Sequence, residues 1–185
     1  MDFFRRLDPT VDWSGLDIAE SPGVKARKRT DAEFVTYDGV NIPFPKESFD
    51  LVFTKQVFEH VLYPREVLRE VGRVLKPQGL FVGSTSQLEP YHADSVWNYT
   101  PYGFKLMVEE AGLRLDELRP GIDGMTLILR RALRAPALMG RWFERESPLN
   151  RIIGVAGLLA RKSHRFINLS KLVFCGQFCF VARKT

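Results

Sequence analysis

The sequence predicts an α/β fold built on a mostly parallel sheet, with a helical addition before the last strand. Three observations carry this. Residues 49–83, FDLVFTKQVFEHVLYPREVLREVGRVLKPQGLFVG, read as a complete strand–helix–strand unit. Short β-rich runs recur on both sides of it, at Trp13–Ala19, Glu33–Tyr37, Leu113–Leu118 and Leu172–Ala182. Helical stretches alternate with these runs and then bunch together between residues 125 and 163.

Taken in order, residues 1–12 are polar and irregular, with Pro9 and three aspartates, and predict no regular element. Trp13–Ala19 predicts a strand ending at Asp17, then a loop at Pro22-Gly23 and a basic cluster, Lys25–Arg29. Glu33–Tyr37 is a second strand that ends at Asp38-Gly39, and residues 41–48 loop around Pro43 and Pro45. In the central unit, Phe49–Phe53 has Asp50 as its one polar residue, the pattern of a strand covered on both faces. Pro64 suits a first helical turn, where a missing N–H costs nothing. Val67, Leu68, Val71, Val74 and Leu75 then follow at helical spacing. Pro77 and Gly79 are expected to end that helix, and Leu80–Val82 to begin the next strand. One crossover helix makes the two strands parallel and the connection right-handed.

Residues 84–101 form a long polar-aromatic stretch, and loops of this length are usually functional. Thr100-Pro101 opens a helix that runs to Ala111 and is ended by Gly112, and Leu113–Leu118 follows as a strand. Gly121–Gly124 is a turn. Residues 125–133, 136–146 and 148–163 are expected to be helical, and Leu172–Ala182 the last strand. The reading is one domain: a core at 1–126, a basic helical insertion at 127–171 and the last strand at 172–185.

An apolar fraction of 45% and a charged fraction of 26% are those of an ordinary globular protein. The nine-residue apolar stretch Ile152–Ala160 is far below the ~20 residues that span a bilayer. MDFFRRLDPTVDW lacks the apolar centre of a secretory signal. These features point to a cytoplasmic protein, with peripheral attachment to a membrane as the alternative. Cys175 and Cys179 on one strand would lie about 13 Å apart, too far for a disulfide, and no metal-ligand spacing accompanies them. They are expected to be core thiols, and no metal is expected. The net charge of +5 hides an asymmetry: residues 127–185 carry 12 Lys/Arg against two acids, residues 1–126 carry 15 against 20. A basic last third attracts anions, whether a phosphate-bearing substrate, anionic lipid or nucleic acid. A solvated basic surface is the plain alternative.

The stretch IPFPKESFDLVFTKQVFEHVLYPREVLREVGRVLKPQG resembles the middle of a class I S-adenosylmethionine (SAM)-dependent methyltransferase. The family pattern has a Pro-Phe turn, S-F-D-L-V on its fourth strand, E-H after it and R-V-L-K-P-G-G before its fifth. Here Gln78 replaces one of those glycines. The resemblance implies a Rossmann-like sheet with an antiparallel last strand, SAM as cofactor, and methyl transfer to a small-molecule or glycan-type acceptor. Ligands of open parallel sheets sit beyond the carboxyl ends of the strands. Asp17, with Ile18, resembles the acid that holds the SAM ribose; a cap or turn role is the alternative. Asp38, Gly39 and Val40 resemble the adenine position, against the alternative of an ordinary Asp-Gly turn. Lys55, Gln56 and Phe58 match the stretch that lines the methionine end, and Glu59 would border the acceptor. His60 and His92 are the candidate bases if the acceptor is a hydroxyl, with a structural role for His60 and a substrate contact for His92 as alternatives. Tyr91, Trp97, Asn98 and Tyr99 resemble an acceptor-binding segment of glycan-modifying methyltransferases, or else pack as a cover over the sheet.

The family's glycine-rich turn after its first strand has no counterpart, since residues 1–12 contain no glycine. A first strand is therefore missing from the reading. The chain could be a fragment, a relative that binds or scaffolds without methylating, or one in which residues 1–12 fill the gap irregularly. A nucleic acid acceptor is disfavoured, because no N-P-P-Y type motif follows the fourth strand.

Overall fold

The computed structural model describes residues 2–18, 33–88 and 94–185. The Pro22-Gly23 loop, the Lys25–Arg29 cluster, Tyr91 and His92 lie outside the described residues. The chain opens with helix α1 (Asp2–Leu7), where the sequence pattern predicts none. Six residues are too few to show a period, and so short a helix depends on tertiary contact. Phe4 supplies it, packing on Trp13 and Phe53 with ring centroids 5.5 and 5.1 Å away.

Strands β1 (Ser14–Ile18) and β2 (Glu33–Tyr37) pair in parallel, with Asp17 opposite Thr36. The central unit is β3 (Phe49–Lys55), α2 (Pro64–Val74) and β4 (Leu75–Ser86), and its strands are parallel as the crossover requires. Helix α2 stops before Pro77: Leu75 is already extended and buried, because it pairs with Phe49. Gln78 adopts φ +63°, a left-handed conformation that explains the glycine of the related pattern. Helix α3 (Pro101–Glu110) is capped by Thr100, whose hydroxyl accepts the Gly103 N–H, and β5 (Leu113–Pro120) follows.

The insertion consists of α4 (Gly124–Ala132), α5 (Ala137–Gly140) leading into a 3-10 turn, α6 (Pro148–Leu159) and α7 (His164–Val173). Residues 136–146 thus give only a short helix and a turn, and the next helix ends at Leu159. Helix α7 replaces the expected early start of the last strand, which begins at Gln177 and runs to Lys184 as β6. Only Leu172 and Val173 of this helix were read as strand; Ser163 caps the Phe166 N–H and sets the helix going through them.

Four strands form one sheet in the order β3-β4-β6-β5, with β6 antiparallel to both neighbours; β1 and β2 form a separate pair. Among the described residues no backbone ladder joins β1 to β3, and Phe4 of α1 touches the flank of each. Helices α2 and α3 close one face of the four-stranded sheet. Rings of Phe58, Phe81, Tyr99, Phe104, Phe178 and Phe180 interlock there, neighbouring centroids 4.7–5.9 Å apart. The opposite face is not buried as the apolar run of β3 suggests. Phe53 is 41% exposed on it. Cys179 lies on that open face too, exposed as a residue although its thiol is partly desolvated against the sheet, while Cys175 is the core thiol that both cysteines were expected to be.

Candidate functional site

Strand register builds the floor of a site on that open face. Lys55 pairs with Ser84, Ser84 with Cys179, and Cys179 with Arg119, one row across the four strands. The next row on the same face is Phe53, Val82, Val181 and Glu117. Directly opposed residues share a face, so the rows form a continuous platform. Arg130, Arg131, Phe143 and Glu144 from the insertion complete a cavity of about 830 Å³, a volume typical of small-molecule sites.

The cavity is apolar at one row and cationic at the other. Burial against the sheet pushes the Cys179 thiol up, while the charges of Lys55 and Arg119 pull it down, so both cations act at its sulfur. Arg119 is paired with Glu117 at 2.5 Å. The guanidinium of Arg130 stacks 5.1 Å from the Phe143 ring, and its buried Nε has no hydrogen-bond partner. A buried donor left without an acceptor is costly.

Gln56 sits at the mouth of this cavity, directly after β3, with φ +53°. Its N–H donates to the Ser84 carbonyl at 3.0 Å, its Nε2 to Ser84 Oγ at 3.1 Å, and its Oε1 accepts from Ser86 Oγ at 2.8 Å. A strained residue pinned by three bonds at a strand's carboxyl end is characteristic of a ligand site.

Asp17, Ile18, Asp38, Gly39 and Val40 come together at the carboxyl end of the β1–β2 pair. The phenol of Tyr37 is raised first by burial, then by the charges of Asp17 and Asp38, so both acids lie near it. Gly39 has φ +88°, and a Cβ there would lie 3.5 Å from Ile18. Asp38 accepts the N–H groups of Val40 and Asn41 on Oδ1 and the Asn41 amide on Oδ2, which hold its carboxyl below the usual range. The loop beyond it is clamped by α2: Glu70 accepts the Ile42 N–H, and Arg73 donates to the Ile42 and Phe44 carbonyls.

The third group is engaged within the protein. Glu59 is 1% exposed; its carboxylate accepts the hydroxyls of Thr85 and Ser86, and its carbonyl accepts the N–H groups of Val96 and Trp97. Trp97 donates its indole N–H to Val61, and the buried Tyr99 donates its hydroxyl to Phe58. Phe58 points its ring into the aromatic core, so of the residues matched to the methionine end Lys55 and Gln56 line the cavity and Phe58 does not. Asn98 is exposed beside Trp97 on this same stitched segment, and His60 lies in the 3-10 turn Phe58–His60; neither lines the cavity. Arg119, Arg130, Phe143 and Cys179 are cavity residues that the sequence reading missed. The alternation Q-F-C-F-V-A at 177–182 was the available signal for Cys179, and register across the sheet supplies the rest.

The described part of the sheet has the strand order and the antiparallel β6 of a known family, and residues 6–83 match the family described as a methyltransferase domain. This is a class I methyltransferase fold. Over its whole length the methyltransferase fold here is similar to a SAM-dependent methyltransferase from Mesorhizobium loti, with TM-score 0.56 at 16% identity, covering 98% of this chain and 85% of that one. It is similar also to the cyclase SpnF, with TM-score 0.58 at 17% identity, covering 99% of this chain and 69% of that one. In sequence it is 30% identical over 159 residues to the fatty-acid O-methyltransferase of Mycolicibacterium smegmatis, covering 80% of this chain and 56% of that protein. It is 38% identical over 79 residues to the demethylmenaquinone methyltransferase of Thermotoga maritima, covering 42% and 34%. The chain thus spans little more than half, or less, of these two relatives.

Proposed function

We propose that the chain transfers a methyl group from SAM to a small molecule with an apolar body and an anionic head, most simply a fatty carboxylate. The observation that carries this reading is the pairing of acids at the ends of β1 and β2 with a cation-lined apolar cavity at the ends of β3 and β4. A ribose diol calls for a carboxylate acceptor at a strand end, the position of Asp17. An adenine amine calls for another, and among the described residues Asp38 Oδ2 accepts one bond, from the Asn41 amide. These residues fit the cofactor's nucleoside, and Gln56 with Lys55 fits its amino-acid end. When bound, SAM supplies an electrophilic methyl group for in-line transfer.

The chain's own residues would then hold the acceptor. Lys55, Arg119 and the guanidinium of Arg130 would anchor an anionic head, and Phe53, Val82, Val181 and Phe143 would take its apolar chain and exclude water. A carboxylate acceptor is already charged at neutral pH and needs no base. That agrees with a cavity lining free of histidine among the described residues. The fatty-acid relative supports this class of acceptor. A glycan acceptor, read from Tyr91, Trp97, Asn98 and Tyr99, is less favoured because Trp97 and Tyr99 bond the Val61 and Phe58 carbonyls, while Tyr91 lies outside the described residues.

Calorimetric titration of the chain with S-adenosylhomocysteine tests the cofactor half. Micromolar binding is expected, weakened about tenfold to a hundredfold in Asp17→Ala, the worth of one charged hydrogen bond. A folded chain that binds none overturns the reading. Mass spectrometry for methyl ester after incubation with SAM and a medium-chain fatty acid tests the acceptor half. Arg119→Ala should raise KM for the acid while leaving S-adenosylhomocysteine affinity unchanged.

A further inference from the structure

Three helices of the insertion leave apolar stripes uncovered. On α4 they are Met125, Ile128, Leu129 and Leu133, on α6 Ile152, Val155 and Leu159, and on α7 Phe166, Leu169 and Val173. Leu159 alone is 81% exposed, at the tip where α6 turns back into α7. Helix α6 packs on both α4 and α7, so the stripes belong to one helical layer. Exposed apolar surface on this scale marks an interaction site.

Charge chooses the occupant. The turn between α6 and α7 reads A-R-K-S-H-R-F, placing Arg161, Lys162 and Arg165 beside Leu158, Leu159 and Phe166. Arg151 lies on α6 itself. Among the described residues Arg151, Arg161 and Arg165 have no acidic partner, and the insertion's acids are Glu144 and Glu146, of which Glu146 is paired with Lys171. Lys162 lies 5.5 Å from the Phe166 ring, a long basic side chain laid along an apolar one. Apolar side chains rimmed by Arg and Lys match the acyl boundary and headgroups of an anionic bilayer. A twelve-residue α6 is about 18 Å long, shorter than a bilayer core, and no described helix is long and apolar enough to cross one.

We propose that the α6–α7 tip, with the exposed face of α4, docks on the surface of an anionic lipid bilayer and inserts Leu158, Leu159 and Phe166 into it. The inference goes beyond the proposed reaction and does not depend on it, although a bilayer is also where an acyl-bearing acceptor resides.

The test is flotation of the full chain with phosphatidylcholine vesicles, with and without phosphatidylglycerol, and with neither SAM nor acceptor present. Strong binding is expected only with phosphatidylglycerol, weakening as salt rises. Each basic side chain near the surface is worth about fivefold, so Arg161→Gln with Arg165→Gln should weaken binding at least tenfold. Leu159→Asp should abolish it. Both changes are at exposed positions, and an unchanged circular dichroism spectrum checks their fold. No flotation at low salt, or flotation indifferent to Leu159→Asp, overturns the proposal. So does sedimentation equilibrium showing a dimer that Leu159→Asp dissociates, since a second copy would then cover the face. Calorimetry with S-adenosylhomocysteine is read without vesicles, so failure of the methyltransferase reading remains a separate result.

Discussion

Gly83 is the point at which β3, β4 and the aromatic core leave no space. A Cβ there would lie 2.3 Å from the Thr54 carbonyl oxygen and 2.9 Å from the Phe180 ring. Backbone cannot yield as a flexible side chain does, so Gly83→Ala should cost about 1–3 kcal/mol, read as a lower urea midpoint. Glu59 and Tyr99 make a graded pair nearby. Tyr99→Phe removes one hydroxyl bond, and the Phe58 carbonyl keeps the Val61 N–H, so the cost should be about 1 kcal/mol. Glu59→Ala leaves a cavity and strands the Thr85 hydroxyl in a buried place, while Ser86 keeps its bond to Gln56, and should cost more. Glu70 carries a pH dependence. The hydrogen bond from Arg73 first, helped by the Ile42 N–H, holds its carboxyl below the ordinary value. A depressed acid contributes its full stability above the unfolded value of about 4.3 and loses it as pH falls through the folded one. Acid should therefore loosen residues 41–48, and Glu70→Gln should flatten the acid limb of a stability–pH curve.

At the scale of elements, legibility followed locality. The centre of the chain was plain because each signal in it is local: Pro64 at a helix start, a 3.6-residue apolar period through Val74, Gly112 after a helix end. Helix α7 was only partly legible: residues 164–171 fell in the helical insertion without an element of their own, Leu172 and Val173 were assigned to the last strand on composition, and one serine cap sets the helix going. Asp17 and Asp38 could be placed by sequence because each ends a strand. Arg119 and Cys179 could not, because their adjacency is a matter of register between β5 and β6. The insertion is fastened by Asp123, which is buried and accepts the Thr126 N–H, the Thr126 hydroxyl and the Leu149 N–H, while its own N–H donates to Ser147. Asp123→Ala removes a cap and strands these donors, at a cost of about 2–4 kcal/mol. Because α4 roofs the cavity, the same change should speed alkylation of Cys179 while Cys175 stays protected. In the intact protein Cys179 should react slowly at neutral pH, since burial raises its thiol, and faster as pH rises.

Across the whole molecule, charge and layering point the same way. The acidic first two thirds hold the proposed nucleoside site, the cation-lined cavity draws Lys55 and Arg119 from that part and Arg130 and Arg131 from the basic last third, and the last third carries the exposed helical face. The antiparallel last strand was foreseeable from the resemblance. That Phe4 of a short helix would touch both flanks of the break between β1 and β3 was not, because a six-residue segment shows no period.

That break has a thermodynamic consequence. Backbone hydrogen bonds couple β3 through β6 into one ladder, whereas among the described residues β1 and β2 share theirs only with each other. The two sets of amides should therefore exchange with solvent through separate openings, those of β4 and β6 only on global unfolding and those of β1 and β2 at a smaller free energy. A ligand gripping Asp17 at one end and Gln56 at the other would act as a tether between the two units. Its binding should slow exchange in β1–β2 more than anywhere else in the chain.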